Sequence, residues 1–383
     1  MNVPKLRFKE FNDEWQPINL ADIFQYFSTN SLSREQLSES GILKNIHYGD
    51  IHRKYNSIVN ENKEITSYVN DINYVNKYEL LKNNDLIFAD ASEDYEGIGK
   101  AVEVVNVNNN IVSGLHTILA RDNSNVFAPM FKGYYFNSPT VHNQIRVLAN
   151  GFKVYGISKE AINKLNIKIP SIKEQSKIAN TLYLLDEKIE LQYKKIEDLK
   201  LFKKGLLKKN YYKIANNNLT ELSCIANIYQ PQTISQSELD NGKYYVFGAN
   251  GIIGKYSKFN HKFMQVTISC RGENSGTINL TPDECWITGN SMVLNVDENK
   301  NVDKLYLKNI LEAQNLKYLI SGSGQPQIVR SSVLKHKIPY ISIEQQKKFT
   351  IPFIKLDSKI KLEQNKLIKL QKLKKGLMQR MFV

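Results

Sequence analysis

Residues of the kinds that enzymes use for catalysis occur in two short segments of this sequence, and neither segment completes a catalytic motif. Asp283, Glu298 and Lys300 have a spacing seen in nucleases, whose carboxylates and lysine hold Mg²⁺ and activate water. In a chain this rich in Lys, Asn and Glu, that spacing arises easily by chance. The segment GIIGKY resembles a phosphate-binding loop, but Ala249 replaces the first glycine of that motif and Tyr256 replaces its hydroxyl residue.

Two further catalytic signatures are missing from the sequence. There is no Asn-Pro-Pro-Tyr-type segment, which methylation of amino groups would require, and no glycine-rich strand–loop–helix segment for a nucleotide-like cofactor. The six histidines follow no metal-binding pattern. We therefore expect no catalytic residue, no metal and no cofactor in this chain.

Other residues are suited to DNA recognition, and they lie in polar loops rich in Gly, Asn, Ser and Gln. Asn, Gln and Arg pair with the edges of adenine and guanine, whereas Ser, Thr, Lys and backbone N–H groups bind phosphates. In the first half we expect DNA contacts from Ser92, Tyr95, Lys100, Ser113, His116, Thr117, Arg146, Asn150 and Lys153. In the second half we expect them from Asn250, Lys255, Arg271, Asn274, Ser275, Thr288, Asn290, Ser323, Gln325, Gln327 and Arg330. For any single residue, the alternative that its loop is only a turn stays open.

Short β-rich runs bounded by turn signals must position these loops. The predicted strands in the first half are 85–90, 100–107 and 111–120, and those in the second half are 243–248, 265–270 and 291–296. Elsewhere the two halves resemble each other only weakly, since 18–24 and 220–226 share just a Leu-x-x-Ile frame. Similar scaffolds with different surfaces would suit the reading of two different targets.

The chain contains an internal repeat, which we call the cassette. Residues 185–209 and 356–380 are identical at 11 of 25 positions, and the segments upstream of them match with small insertions, so that KIP…EQ…LD.KI…KKGL occurs twice. Each cassette predicts the end of a strand followed by a long helix, because the residue before Pro170 or Pro339 avoids the helical region. Glu174 and Glu344 then fall near a helix N-terminus, where an anion is favoured.

Both predicted helices carry a seam of apolar residues at the alternating three- and four-residue spacing of a coiled coil. The seam residues are Leu182, Leu185, Ile189, Ile196, Leu199 and Leu206, and Phe353, Leu356, Ile360, Leu367, Leu370 and Leu377. The seams are interrupted at equivalent positions by Gln192 and Glu363 and by Lys203 and Lys374, which indicates that the helices pair. Connectivity then requires an antiparallel pair, and about 35 residues would span roughly 50 Å.

The predicted fold is therefore of the α+β class. Two β-rich domains, 1–170 and 211–340, are separated by an antiparallel coiled coil of two long helices, 171–210 and 341–383, with an internal pseudo-twofold axis. Gly205 and Gly376 are expected near helix ends.

Charge indicates the class of partner. The net charge is +14, and 11 of the excess positive charges lie in 174–209 and 344–380. This balance favours an anionic partner such as nucleic acid, although a lysine-rich helix is often just a solvated face. The N-terminus has no secretory apolar segment and no run of 18 apolar residues occurs, so we expect a cytoplasmic protein without membrane contact.

The sequence resembles the DNA specificity subunit of type I restriction–modification systems. The resemblance rests on the repeated cassette and on NDLIFADASEDYEGIGK (84–100), YYVFGANGIIGKY (244–256) and GENSGTINLTPDECWITGNS (272–291). It implies that each variable half is a target recognition domain that reads one part of a bipartite, asymmetric site in double-stranded DNA. It also implies that the helices dock two methyltransferase subunits, which use S-adenosylmethionine to methylate adenine N6, and that ATP-driven restriction subunits join them.

Two alternatives remain at this stage. The chain could be a self-contained restriction enzyme with an unrecognised active site, in which case it would cut or methylate DNA unaided. It could instead be a coiled-coil adaptor that binds only protein, in which case it would show no sequence-selective DNA affinity.

Overall fold

The protein is described by a computed structural model, which covers residues 3–64, 67–108, 110–249, 251–322 and 326–383, without the side chains of Asn62 and Glu64. The chain divides into two compact units. Unit 1 consists of Met1–Tyr193 and Lys366–Val383, and unit 2 consists of Lys194–Asn365. Both units mix helices with sheets, which confirms the α+β class.

Unit 1 is organised around a five-stranded sheet. Its strands are β1 (Gln16–Ile18), β2 (Phe24–Phe27), β3 (Leu37–Ser38), β4 (Lys44–Ile46), β5 (Ile58–Asn60), β6 (Tyr68–Val69), β7 (Leu86–Ala89), β8 (Ala91–Ser92), β9 (Ala101–Val105), β10 (Ile111–Ser113), β11 (Thr117–Asp122), β12 (Tyr155–Gly156) and β13 (Ile167–Ile169). Its helices are α1 (Leu20–Ile23), α2 (Tyr48–Arg53), α3 (Glu61–Glu64), α4 (Phe131–Phe136), α5 (Pro139–Leu148), α6 (Lys159–Asn163) and the start of α7 (Ile172–Ile214), with 3₁₀ helices at Arg34–Gln36 and Ile72–Tyr74. The main sheet has the order β2-β11-β7-β9-β5, and Phe88 packs there with Phe131 of α4 in an aromatic-rich core.

Unit 2 is organised around a four-stranded sheet and a β-hairpin. Its strands are β14 (Leu219–Glu221), β15 (Asn227–Tyr229), β16 (Tyr244–Gly248), β17 (Gly251–Tyr256), β18 (Val266–Ser269), β19 (Ile278–Leu280), β20 (Trp286–Ile287), β21 (Ser291–Asn295) and β22 (Lys337–Pro339). Its helices are α8 (Leu222–Ile225), α9 (Lys304–Gln314), α10 (Arg330–Leu334) and most of α11 (Ile343–Arg380), with 3₁₀ helices at Gln236–Glu238 and Leu316–Leu319. The main sheet has the order β15-β21-β18-β19, and β16 pairs with both β17 and β20.

The two main sheets share one topology despite their different sequences. In unit 1 the order β2-β11-β7-β9 is antiparallel at every pairing, and β15-β21-β18-β19 repeats this arrangement in unit 2. In each unit a short early strand also pairs with the strand that ends in the cassette, β1 with β13 and β14 with β22. The halves are therefore two versions of one scaffold.

The six predicted strands are confirmed, with one change. The run 111–120 forms two strands, because a tight turn at Gly114–His116 separates β10 from β11. His116 has a φ of 54°, and a Cβ on Gly114 would stand 2.6 Å from the side chain of Asn45. As a result β10 joins a second sheet beside β4, whereas β11 joins the main sheet.

The two long helices begin where the cassettes predict. The helices α7 and α11 have 43 and 38 residues, and each carries its expected glutamate, Glu174 or Glu344, in the first turn. The helix α7 extends four residues beyond its predicted end at 210, whereas α11 ends at Arg380, three residues before its predicted end at 383.

The glutamine of each cassette fastens its helix to the preceding domain. Gln175 accepts a hydrogen bond from the backbone N–H of Ala128 (2.9 Å) and donates to the carbonyls of Val126 and Pro170. Gln346, 171 positions later, accepts from the N–H of Asp303 (2.8 Å) and donates to two carbonyls in the same way. Both side chains are buried, so the repeated EQ sequence has a structural cause.

Within each unit, α7 and α11 pair in opposite directions. In unit 1, Asp186 forms an ion pair with Lys374 (2.5 Å), and further along α7 the Tyr193 hydroxyl accepts from Gln371. The equivalent contact in unit 2 joins Asp357 to Lys203 (2.5 Å). The lysines that interrupt the predicted seams thus pair with the aspartates of the LD.KI segments.

The expectation that Gly205 lies near a helix end is wrong. The helix α7 continues for nine residues after Gly205, whereas Gly376 lies four residues before the end of α11. A helix-interior glycine costs only about 1 kcal/mol relative to alanine. Leu207 is buried, and Tyr211 and Ile214 pack against the core of unit 2, so tertiary contacts sustain the helix beyond the glycine.

The C-terminal residues complete the core of unit 1. Met381 and Phe382 are buried, and the ring of Phe382 lies 5.9 Å from that of Phe131. Nearby, the N–H of Leu6 donates to the carbonyl of Arg380 (2.8 Å), so an N-terminal segment covers the end of α11.

Candidate nucleic-acid interface

Unit 1 brings its three predicted recognition loops together at one end of the main sheet. The N–H of Asp90 donates to the carbonyl of His116 (3.0 Å), which joins loop 89–100 to loop 113–117. Loop 146–156 joins them through the pairing of Tyr155 with Ser92 and through the Tyr95 hydroxyl, which donates to the carbonyl of Arg146 (3.1 Å). We call these three loops the first recognition surface.

A cavity of about 460 Å³ opens beside this surface, and most of its residues were not predicted. Its lining includes Arg34, His47, Tyr48, His52, Arg53 and Lys100. The ring of Tyr48 lies 4.7 Å from His47 and 5.3 Å from His116, and the His52 Nε2 contacts the carbonyl of Ala91 at 2.9 Å. The one hint in the sequence was that His47 and His52 flank Tyr48, but no loop motif marks the short helix α2 that carries them.

The cavity combines fixed and available positive charge. Arg34 is held by two hydrogen bonds to the buried Asp50 (3.0 and 3.1 Å). Burial opposes ionisation of Asp50, but hydrogen bonds and charge from Arg34 and Lys54 outweigh it and lower the pKa of that carboxyl. The side chain of Arg53 is exposed and makes no hydrogen bond or ion pair within the described residues, so its guanidinium is available to a ligand.

Two titratable groups of the cavity are shifted by burial. The pKa of His47 falls to about 4, through burial and then through the charge of Arg34, so this imidazole is neutral at pH 7. Its Nδ1 accepts from the N–H of Gly49 (3.0 Å). Burial also lowers the pKa of Lys100, whose ammonium donates to the carbonyl of Tyr55 (2.8 Å).

A short hairpin projects an aromatic ring from the first recognition surface. Asn150 and Gly156 exchange two backbone hydrogen bonds (2.9 and 2.7 Å), and Gly151 has a φ of 128°. At the tip, Phe152 is 99 % exposed, and its ring contacts no other ring or cation within the described residues. Lys153 beside it is also exposed, so the hairpin presents an apolar and a basic group together.

Several predicted residues of unit 1 are engaged inside the chain. Ser92, Ser113 and Thr117 are buried. The Ser113 and Thr117 hydroxyls lie 2.8 Å apart, and that of Ser92 donates to the carbonyl of Asp94 (2.7 Å). These hydroxyls shape the loops, whereas Tyr95, Asn150 and Lys153 are exposed. Arg146 forms an ion pair with Glu96, and His116 lies 3.2 Å from Asp90.

Unit 2 brings its predicted loops together in the same way. Loop 269–277 meets loop 321–330 where the N–H of Gly272 donates to the carbonyl of Pro326 (3.0 Å) and where Arg271 forms an isolated bridge with Gln327. Loop 287–291 joins through the N–H of Cys270, which donates to the carbonyl of Asn290 (2.9 Å). We call these loops and the β16–β17 hairpin the second recognition surface.

The second recognition surface exposes a different set of side chains. Lys255, Arg271, Asn274 and Gln327 are exposed, and the Lys255 ammonium lies 5.5 Å from the ring of Tyr245. The isoleucines Ile252 and Ile253 are also exposed, which sequence reasoning missed.

The remaining predicted residues of unit 2 are held by the scaffold or lie outside the described residues. The Ser275 hydroxyl is bonded to the carbonyl of Pro326, Thr288 is buried, and the Arg330 Nε donates to the carbonyl of Ile228 (2.6 Å). Asn290 is half-buried. Three further predicted residues fall outside the described residues: Asn250, Ser323 and Gln325.

The nuclease-like spacing does not form a metal centre in the described part of the chain. No group of three or more His, Cys, Asp or Glu is arranged there to hold a metal ion. Asp283 instead accepts a hydrogen bond from the N–H of Met264 (2.7 Å). None of the described helices combines the length and apolar character needed to cross a membrane.

The two units share one scaffold and carry different loop surfaces, so the chain is a duplicated two-domain protein. Comparison with known families agrees, because the profile of the type I restriction modification DNA specificity domain matches residues 12–201 and 216–372. The chain belongs to this family and is a specificity subunit of a type I restriction–modification system. Such subunits are non-catalytic components that recognise DNA within a larger complex.

Two similar proteins are described as specificity subunits of type I restriction enzymes. The chain is 24 % identical over 416 residues to the MjaX specificity subunit of a type I restriction enzyme from Methanocaldococcus jannaschii, covering 98 % of this chain and 95 % of that protein. It is 24 % identical over 266 residues to the MjaVIII specificity subunit of the same organism, covering 58 % and 62 %.

Two solved structures share the fold. The S subunit of the type I system from M. genitalium has a TM-score of 0.60 and 18 % identity, over 100 % of this chain and 99 % of that one. A chain from a study of complex assembly and conformational transition of the type I system has a TM-score of 0.61 and 14 % identity, over 97 % and 98 %.

Proposed function

We propose that this specificity subunit reads a bipartite, asymmetric DNA site, with one target recognition domain for each part. Residues 1–170 form the first domain and residues 211–340 the second, and the helices 171–210 and 341–383 carry the partner subunits. The main support for the proposal is that the same sheet topology occurs twice in the chain and carries a different loop surface each time.

The chemistry of each surface supports a different reading. The first recognition surface offers the projecting Phe152, and the cavity beside it offers Arg34, Arg53 and Tyr48. The second offers Arg271 and Gln327, which suit bidentate pairing with guanine and adenine in the major groove. Two readers with different side chains give a site whose two halves differ in sequence.

The catalytic steps belong to partner subunits. Two methyltransferase subunits bind S-adenosylmethionine and methylate adenine N6, and restriction subunits use ATP and Mg²⁺. The complex acts on double-stranded DNA in the cytoplasm. The chain itself positions these subunits on DNA and performs none of the chemistry.

The test uses the full chain with the methyltransferase subunit of the same restriction–modification system, S-adenosylmethionine and a library of randomised duplexes. We expect methylation at one motif made of two short specified halves and an unspecified spacer of fixed length. The chain alone should neither methylate nor cut the library in the presence of Mg²⁺ and S-adenosylmethionine. Activity of the chain alone would favour a self-contained enzyme, and a continuous motif would contradict the two-reader proposal.

A further inference from the structure

Each long helix contains a glycine that nothing in the described chain requires. Gly205 and Gly376 are both helical, so neither position needs the left-handed backbone that favours glycine. A Cβ built at either position meets no described heavy atom within 4 Å. Glycine is the weakest helix former apart from proline, so each of these residues destabilises its helix relative to alanine.

The two glycines occupy equivalent positions in the cassettes and have equivalent neighbours. They lie 171 residues apart, and one turn before each is an exposed apolar side chain, Phe202 (59 % exposed) or Leu373 (52 % exposed). Residues three positions apart share a helix face, so each glycine adjoins its apolar neighbour on the surface. The same combination occurs once in each unit.

Both surfaces are strongly basic. Residues 200–209 carry five lysines and no acidic residue, and 369–380 carry four lysines and Arg380, again with no acidic residue. Lys203, Lys374 and Lys200 are already paired with Asp357, Asp186 and Glu197, but the other lysines point to a partner with acidic side chains.

We propose that Gly205 and Gly376 are the points at which two copies of one methyltransferase subunit bring their backbone close to these helices. A methyl group at either position would occupy space that the partner fills. The inference rests on the proposed function and adds the contact residues and the acidic character of the partner's docking face. It also implies that a substitution that stabilises the helix at either glycine weakens binding of the partner.

The observations favour a protein occupant over DNA. Phosphates need donors and positive charge, which lysines supply without glycine, and an exposed Phe202 or Leu373 adds nothing to phosphate binding. A close backbone approach beside an apolar side chain is typical of packed protein interfaces. The exact repetition of the arrangement fits two copies of one partner.

The test compares Gly205→Ala, Gly376→Ala and the double variant, each as the full chain mixed with the methyltransferase subunit, by native mass spectrometry. The wild-type chain should bind two copies. Each single variant should bind one copy at concentrations that saturate the wild type, which corresponds to a loss of at least about tenfold in affinity at one site. The double variant should bind none. Alone, each single variant should melt about 2 °C higher than the wild type.

A matched control separates helix stabilisation from contact. Val147→Ala also raises helix propensity, at an exposed position of α5 outside the two long helices, and should leave two copies bound in the absence of DNA. Glycine variants that bind two copies overturn the inference, as does a lower melting temperature, which would mean that the chain itself needs the glycines. Normal assembly with weakened DNA binding would assign them to DNA instead. Failure of the wild-type chain to bind the subunit would contradict the proposed function, not the role of the glycines within it.

Discussion

Replacing Arg271 by alanine should change the reading of one half of the DNA site and leave the other half unchanged. Arg271 lies in loop 269–277, and its guanidinium makes no hydrogen bond within the described residues. Its backbone forms the bridge with Gln327, and alanine keeps that backbone. Folding should therefore be affected by no more than about 0.5 kcal/mol, as for other surface positions.

The size of the effect depends on which part of DNA the guanidinium contacts. Loss of a bidentate contact with guanine costs about 1–3 kcal/mol of discrimination, or about 5- to 150-fold at that base pair. Loss of a phosphate contact would weaken binding to all sequences alike and reduce the salt slope by about 1. Gln327→Ala should relax an adenine position of the same half by a similar factor.

The assay is methylation of a randomised duplex library by the complex, followed by sequencing of the methylated molecules. Lys300→Ala is the matched control, because Lys300 is an exposed cation of the same unit. Lys300 follows the C-terminal end of β21, whereas loop 287–291 leads into the N-terminal end of that strand, so the control lies away from the recognition loop. The control should leave the motif unchanged. Relaxation spread equally over both halves by Arg271→Ala would refute independent reading by the two domains.

Four other substitutions test the remaining features. Phe152→Ala should leave the melting temperature unchanged, because the ring is fully exposed, but should relax only the half-site read by unit 1 in the same library assay. Glu103→Ala should lower the free energy of unfolding in urea by about 3–5 kcal/mol, since it leaves the buried Lys132 unpaired, and adding Lys132→Met should restore part of the loss. Burial lowers the pKa of His336 to about 4, so the unfolded chain takes up the proton first, and this histidine should contribute about 1–2 kcal/mol to the loss of stability between pH 7 and 5. His336→Gln should flatten this dependence, and an unchanged pH profile would contradict it.

The helices were predictable because their signals are local and occur twice. The seam spacing, the proline before each helix and the interruptions at Lys203 and Lys374 are all present in the sequence. The extent of α7 was not predictable, because intrinsic propensity marks Gly205 as an end. Packing of Ile214 on the core of unit 2 overrides that propensity, and such a contact is invisible in the sequence.

The loops of the candidate site were found, but not the orientation of their side chains. Ser113 and Thr117 have residue types suited to phosphate binding, yet their hydroxyls face each other across a tight turn. Tyr48 and His52 escaped notice because α2 has six residues, too few for a periodic pattern. Only the tertiary contact between His52 and Ala91 brings that helix to the recognition loops.

The division of the chain has a consequence for its synthesis on the ribosome. Unit 2 is one continuous stretch, whereas the core of unit 1 needs Met381 and Phe382, which emerge only after all 172 residues of unit 2. At about 5–20 residues per second, that interval is on the order of 10–30 s. During this interval the first 193 residues lack the ring of Phe382, which contacts Phe131 and Tyr135 in the folded unit. The part of the protein that is made first is thus the last to finish folding, and it is the part exposed to chaperones and proteases for longest.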